Sequence, residues 1–284
     1  MQVSADADVI GGADGVILAT SADRYQSALE VMATHITDGQ PVLIGAELSQ
    51  FSASVEEALS RRGRIAPITA LSTTLATGRR EEGALVKVGL LRNSALAWVR
   101  GCDNPQTQID FWSVVTGVAL TQASSPLHLT LSNLNPIVHV PNALCNFTRI
   151  ERGEDWSNYG GITEGVARLI EALDSERLAL ARALGLHLET FKSSWERSNG
   201  FTAGMPLSEM SAELHQRRNG LPKGPVETST RYLTEDVPFG LATFEHIGAA
   251  RGVLTPVTSA AISMTSVIYG RSFRQENPFL DWLD

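Results

Sequence analysis

Short apolar runs alternate with helix-spaced apolar residues through the first third of the chain. Residues 13–20 form a β-leaning run that predicts a strand. The residues after it that share one face of a predicted helix are Ala28, Val31, Met32, His35 and Ile36. The first elements are therefore expected to be a strand and then a helix.

The same unit then repeats along the chain. Residues 41–46 predict a second strand, and residues 64–68 begin a third. The second helix is predicted from the spacing of Val55, Ala58, Leu59 and Arg62. Because continuous apolar strands that alternate with amphipathic helices are buried on both faces, we expect a parallel sheet covered by helices.

From about residue 123 the pattern becomes helical. One long core helix is predicted to end at Gly185, and its apolar residues are Val166, Leu169, Ile170, Leu173, Leu180, Ala181 and Leu184. Another is predicted around residues 241–248. A third begins at Pro256, ends at Gly270 and carries Ala260, Met264, Val267 and Ile268. Residues 199–225 are rich in Gly, Pro and Ser, and predict a loop with short helices over the active cleft.

The predicted fold class is therefore α/β plus all-α. A partial Rossmann-type parallel sheet is expected in residues 1–122, followed by an all-helical domain in residues 123–284. Since such domain pairs usually bind substrate where they meet, we expect the active site in the cleft between them.

The first predicted strand ends at a candidate cofactor contact. Ligands of parallel sheets bind beyond the carboxyl ends of the strands, which singles out Thr20 and Ser21, and an ordinary strand-to-helix loop is the alternative. No G-x-G-x-x-G turn accompanies them, because Gly11 and Gly12 precede the first strand. We therefore expect the chain to begin partway through a nucleotide-binding domain, with Met1 internal to a longer reading frame.

Charge and composition exclude several classes of protein. The net charge is −8, and no cluster of Lys and Arg with aromatic residues is present, so nucleic acid is not an expected partner. The apolar runs are too short to span a bilayer and the N-terminus lacks an export signal, so we expect no membrane and a cytoplasmic location. Cys102 and Cys145 have no partners at metal-site spacing, so no metal is expected.

Three residues of the second half are candidates for chemistry. His139 lies in a mostly apolar segment, and its alternative is a core histidine satisfied by a backbone carbonyl. Asp236, which precedes Val237 and Pro238, suits a helix N-cap equally well. Arg231 could bind a substrate carboxylate or form a surface ion pair.

Several segments resemble the octopine/nopaline dehydrogenase family. RYLTEDVPFGL (231–241) resembles the family's E-D-V-P signature, and LSNLNPIVHVPNAL (131–144) is similar to its N-x-x-x-H-P segment. ALSTTLATGRR (70–80) and ALDSERLALARALGL (172–186) also resemble family segments. Here Val140 separates His139 from Pro141, where the family has His-Pro directly, so a local turn one residue wider is expected.

The resemblance implies an activity and a cofactor. Enzymes of this family join the amino group of an amino acid to a 2-oxo acid and reduce the resulting imine with NADH or NADPH. Carried over by position, His139 is the general acid/base and Asp236 orients it. Asn135 would position substrate or nicotinamide, and Arg231 would bind a substrate carboxylate. The implied partners are an amino acid, a 2-oxo acid, NAD or NADP, and a second copy in a possible homodimer.

Two other interpretations compete with this one. A non-catalytic remnant could act as a binding or dimerising module if the cofactor site has been lost. A ketopantoate reductase or hydroxyacid dehydrogenase would need a catalytic lysine, and the chain offers only Lys87, Lys192 and Lys223. None of the three lies in a segment that resembles the catalytic helix of those families.

Overall fold

The computed structural model describes residues 4–76, 78–80, 86–89 and 91–283, in two compact units. The first unit is Met1–Asn133 and the second is Leu134–Asp284. The domain boundary predicted after residue 122 stays a prediction.

The first unit contains a five-stranded sheet in the order β1-β2-β3-β6-β7, and a separate two-stranded ladder of β4 and β5. The strands are β1 (Val16–Leu18), β2 (Val42–Ile44), β3 (Ile68–Leu71), β4 (Gly78–Arg80), β5 (Val86–Val88), β6 (Ser94–Arg100) and β7 (Ala119–Gln122). The helices are α1 (Tyr25–His35), α2 (Phe51–Ser60), α3 (Pro105–Thr116) and α4 (Pro126–Leu131). The first two strands and the first two helices are confirmed where the apolar pattern predicts them.

The third strand begins at Ile68, later than the predicted start at residue 64. Arg64 is held in the preceding loop, because its Nη1 donates hydrogen bonds to the carbonyls of Thr34 (2.8 Å) and Ile36 (2.9 Å) at the end of α1. The backbone of Ile65 likewise donates to Asp38 Oδ1. The N–H and the carbonyl of Ile65 are thus used in contacts with Asp38 and with Gly39 N–H, and not in strand pairing.

The predicted parallel sheet is confirmed except at one pairing. β1, β2 and β3 run parallel, and so do β6 and β7, but β3 pairs with β6 in the antiparallel direction. A parallel neighbour requires a crossover, usually a helix, and the described residues between β3 and β6 contain none. They carry the short β4–β5 ladder instead, so the chain returns beside β3 in the opposite direction.

The second unit is built from helices. These are α5 (Asn135–Cys145), α6 (Phe147–Glu151), α7 (Glu164–Ala183), α8 (Phe191–Asn199), α9 (Leu207–Arg217), α10 (Arg231–Thr234), α11 (Ala242–Arg251) and α12 (Pro256–Tyr269). The predicted long core helix is confirmed as α7, and Gly185 after it takes the left-handed backbone (φ 71°) that glycine tolerates best. Within the described residues no helix combines the length and the apolar character needed to cross a membrane.

One expectation for the second unit is wrong, and another is confirmed with an unexpected buried face. The segment 199–225 contains the full helix α9 rather than only loops and short helices. The third predicted helix is confirmed as α12, and the apolar residues that predicted it lie at the surface, with Met264 58% and Val267 82% exposed. The buried face instead carries Thr258 and Thr265, whose hydroxyls donate to Glu176 Oε2 (2.7 Å) and the Ala261 carbonyl (2.8 Å). Ala261 and Ile262 complete the buried face, and satisfied hydroxyls are inexpensive to bury beside them.

Candidate active site

His139 lies in the middle of α5. Pro136 occupies the first turn of that helix, where its missing N–H costs nothing, and Pro141 lies inside the helix. The wider local turn expected between His139 and Pro141 is therefore wrong, since both residues are helical. Helical geometry fixes the direction in which the imidazole leaves the backbone.

Asp236 lies directly before one turn of π-helix, Val237–Leu241, which we call the π-turn. Leu241 N–H donates to the Asp236 carbonyl over 2.9 Å, five residues back, while Pro238 has no N–H to continue an ordinary helical ladder. The Asp236 side chain makes no capping hydrogen bond. The N-cap interpretation of Asp236 is therefore wrong.

The two side chains meet although 97 residues separate them in the sequence. His139 Nδ1 lies 2.7 Å from Asp236 Oδ2, and the side chains are 19% and 8% exposed. An ionised carboxylate can only accept, so Nδ1 carries the hydrogen, and in the neutral imidazole Nε2 then has the lone pair. The partner of His139 is thus a carboxylate and not the backbone carbonyl of the alternative interpretation. A half-buried imidazole oriented in this way can exchange a proton through Nε2.

Tyr232 is a neighbour of the pair that the sequence analysis did not single out. Its ring stacks on the His139 imidazole with centroids 3.8 Å apart and planes only 3° from parallel. Together, Asp236 and Tyr232 restrain both the rotation and the plane of the imidazole. The signal in the sequence was the position of Tyr232 beside Arg231 in the R-Y-L-T-E-D segment.

The two predicted substrate contacts lie on the same helices. Asn135 is exposed in the first turn of α5, four residues before His139 and so on the same face. Arg231 begins α10, and its Nε lies 3.1 Å from Glu235 Oε2 with 67% of the side chain exposed. The surface ion pair considered for Arg231 is therefore present, and its guanidinium remains open to solvent.

The predicted cofactor contacts belong to the first unit. Thr20 and Ser21 follow the carboxyl end of β1, and Ser21 Oγ donates to the Asp23 carboxylate. The G-x-G-x-x-G pattern does not occur in the sequence. The hydroxyls of this edge suit contacts to a ribose or nicotinamide, but they do not supply the amide nest that a pyrophosphate requires.

The loop that follows β2 at the same edge is strained. Ala46, Ser49 and Gln50 have left-handed backbones (φ 57°, 53° and 51°), which cost non-glycine residues about 1–3 kcal/mol each. Within this loop Glu47 is buried and accepts a hydrogen bond from Ser52 N–H (2.6 Å). Burial raises the pKa of the Glu47 carboxyl, and the Ser52 hydrogen bond opposes that shift. Strain of this kind clusters at ligand-contact loops, which fits a cofactor at this edge.

In the described part of the chain, no group of three His, Cys, Asp or Glu side chains is arranged to hold a metal ion.

The helical part of the chain matches a known family. Residues 122–269 match the family model described as NAD/NADP octopine/nopaline dehydrogenase, alpha-helical domain. The match covers more than half of the chain and includes both His139 and Asp236.

Individual relatives agree with this match. An opine dehydrogenase of Arthrobacter sp. (strain 1C) is 28% identical over 283 residues, which are 95% of this chain and 75% of the relative. Octopine dehydrogenase, solved with NADH and L-arginine, superposes with a TM-score of 0.75 at 18% identity, over 94% of this chain and 72% of that one. Yersinopine dehydrogenase with NADP⁺ gives 0.66 at 14% identity, over 95% and 78%. The structural likeness confirms the predicted combination of a Rossmann-type sheet and a helical domain.

Proposed function

Because the chain belongs to the NAD/NADP octopine/nopaline dehydrogenase family of oxidoreductases, we propose that it condenses an amino acid with a 2-oxo acid reductively. The overall change consumes the two substrates, NADH or NADPH and one proton, and gives an opine, the oxidised cofactor and water. The observation that supports it most is the 2.7 Å hydrogen bond between His139 and Asp236 inside the family's helical domain.

In this proposal His139 transfers the proton. In the imidazolium form its Nε2–H donates a proton to the carbonyl oxygen of the 2-oxo acid, which must be protonated before it can leave as water, and the ring becomes the neutral imidazole. Asp236 keeps Nδ1–H pointing away from the substrate and stabilises the positive charge of the imidazolium. Tyr232 holds the plane of the ring, so the proton is delivered in one direction.

The remaining contacts would bind the substrates. Arg231 is exposed enough to form a bidentate pair with a substrate carboxylate. Asn135, one helical turn before His139, would hold a substrate polar group or the carboxamide of the nicotinamide. Thr20 and Ser21 would contact the cofactor at the carboxyl end of β1. When bound, the reduced nicotinamide supplies the hydride.

The structural neighbours suggest the first substrates to test, since octopine dehydrogenase has been solved with L-arginine and with pyruvate. Oxidation of NADH and of NADPH should be followed with pyruvate and a panel of amino acids. The product should be identified by a mass equal to the two substrates minus water plus two hydrogens. Cofactor oxidation with that product is the expected result, and oxidation that merely reduces the 2-oxo acid to a hydroxy acid contradicts the proposal.

Asp236→Asn is the matched variant, because it keeps the shape of the side chain and removes the negative charge. It should lower turnover while the melting temperature stays close to that of the wild type. Calorimetric titration with NADH and NADPH tests the non-catalytic alternative, because the enzyme requires cofactor binding and a remnant does not. The lysine-dependent alternative is less favoured, since Lys87 lies in β5 of the first unit, and Lys192 and Lys223 contact the Gly204 carbonyl and Asp155.

A further inference from the structure

In the second unit the backbone at Gly240 lies very close to the ring of Pro136, beside the His139–Asp236 pair. The π-turn packs against α5, and a Cβ added to Gly240 would lie 2.3 Å from Cγ and 2.8 Å from Cβ of Pro136. Carbon atoms in contact are normally about 3.5–4.0 Å apart. The two segments would therefore have to separate by about 1 Å before any side chain fitted at residue 240.

Glycine at this position is explained by space and not by backbone conformation. Gly240 is absent from the positive-φ glycines, and the buried turn around it is helical. In a helical conformation glycine is about 1 kcal/mol less favourable than alanine. A residue that costs stability and gains no conformational freedom is best explained by the contact that its missing side chain permits.

That contact is mechanically connected to the His139–Asp236 hydrogen bond. Pro136 lies three residues before His139 in α5, and Gly240 lies four residues after Asp236 at the π-turn. Pro136 is buried and its ring cannot rotate away, so an added methyl group would move the backbones. Widening a 2.7 Å hydrogen bond by about 1 Å takes it outside the bonding range.

The C-terminal segment holds the same turn. Asn277 is 6% exposed, its Nδ2 donates to the Pro238 carbonyl over 2.9 Å, and its Oδ1 accepts from Phe279 N–H over 3.0 Å. Thr243 Oγ1 donates to the Phe239 carbonyl over 2.9 Å. These bonds satisfy carbonyls of the π-turn and resist its displacement.

We infer that Gly240 is a positioning residue: its lack of a side chain lets Pro136 bring α5 close enough to the π-turn for His139 to bond Asp236. Asn277 holds that turn in place. The inference rests on the proposed function only where turnover is measured.

Gly240→Ala tests this inference, with Gly248→Ala as the control. Gly248 is also buried in tight packing, since an added Cβ would lie 2.7 Å from the Val253 carbonyl oxygen, but it is in α11 and not in the π-turn. Both variants should melt at lower temperature. Only Gly240→Ala should lower kcat, by about 10²-fold for a shift of about 1 Å, with KM for the cofactor little changed.

A second measurement follows the imidazole directly. ¹⁵N signals of the six histidines report the tautomer of each ring, and His139→Gln assigns the signal of His139. The wild type and Gly248→Ala should show His139 protonated at Nδ1, and Gly240→Ala should show a mixture. Unchanged His139 signals in a folded Gly240→Ala chain overturn the inference even if turnover falls.

Removing the ring of Pro136 should restore the His139–Asp236 hydrogen bond in the Gly240→Ala chain. In Gly240→Ala/Pro136→Ala the proline ring no longer fills the space, so the single tautomer and most of the lost turnover should return. If Gly240→Ala does not fold, the double variant provides the test. A double variant that also fails to fold would show that the contact between residue 240 and Pro136 is not the cause, and would overturn the inference. A wild type with the expected tautomer but no opine product would reject the proposed function and leave the positioning role standing.

Discussion

Two buried carboxylates of the second unit show how differently the same chemistry can be used. Asp174 and Arg177 lie in α7, are 7% and 1% exposed, and form a salt bridge of 2.7 Å. Arg177 Nη2 also donates to the Glu189 carbonyl (2.7 Å), and Asp174 Oδ2 accepts from Phe191 N–H (2.7 Å). This pair is closed on all sides by protein groups.

The His139–Asp236 pair has a similar contact distance but a different environment. Its imidazole is 19% exposed, and no described residue hydrogen-bonds Nε2. The closed pair joins α7 to the start of α8, whereas the open pair presents a titratable atom. The comparison indicates that burial alone does not distinguish the two pairs, whereas the exposure of the His139 imidazole does.

Replacing His139 should break the open pair with the largest effect on activity. His139→Ala should lower turnover by about 10²- to 10⁴-fold, the usual contribution of positioned proton transfer. Steady-state kinetics with the substrates identified above provides the measurement. His139→Gln is the control, because it retains an N–H for Asp236 but cannot transfer a proton, and a fully active His139→Gln would remove His139 from the mechanism.

Replacing Arg177 should break the closed pair, and we expect a loss of stability without a loss of activity. Arg177→Met leaves the Asp174 carboxylate buried without its cation, which should cost about 3–5 kcal/mol of unfolding free energy. Urea unfolding measures the loss, and kcat per folded molecule should not change. In Asp174→Asn/Arg177→Met much of the stability should return, because no buried charge remains. A fall in kcat without a fall in stability would show that the two pairs are not distinct.

Local patterns predict the parts of this structure that local forces decide. The span of α7 follows from apolar spacing and from Gly185, and the resemblance brought His139 and Asp236 to notice before their contact was known. The alternatives for those two residues were also reasonable, since histidines satisfied in a core and aspartates at helix N-caps are both common. The carboxylate partner of His139 lies 97 residues away, and no local pattern contains it.

The features that were missed are decided by contacts between distant segments. The antiparallel pairing of β3 with β6 depends on how the chain between them returns, which apolar alternation does not encode. The burial of Thr258 and Thr265 on α12 depends on hydrogen bonds that satisfy their hydroxyls in the fold, which apolar spacing does not show. The stacking of Tyr232 on His139 and the approach of Gly240 to Pro136 likewise join separate elements.

Tyr232 provides the smallest and sharpest test of the open pair. Its ring covers one face of the imidazole at 3.8 Å, and such aromatic pairs contribute about 0.5–1.5 kcal/mol beyond the area that they bury. If that energy holds the ring in its reactive orientation, Tyr232→Leu should lower kcat by about two- to tenfold. Tyr232→Phe keeps the stack and should retain nearly full turnover. Equal losses in the two variants would assign the effect to the phenol hydroxyl, and full activity in Tyr232→Leu would show that Asp236 alone orients His139.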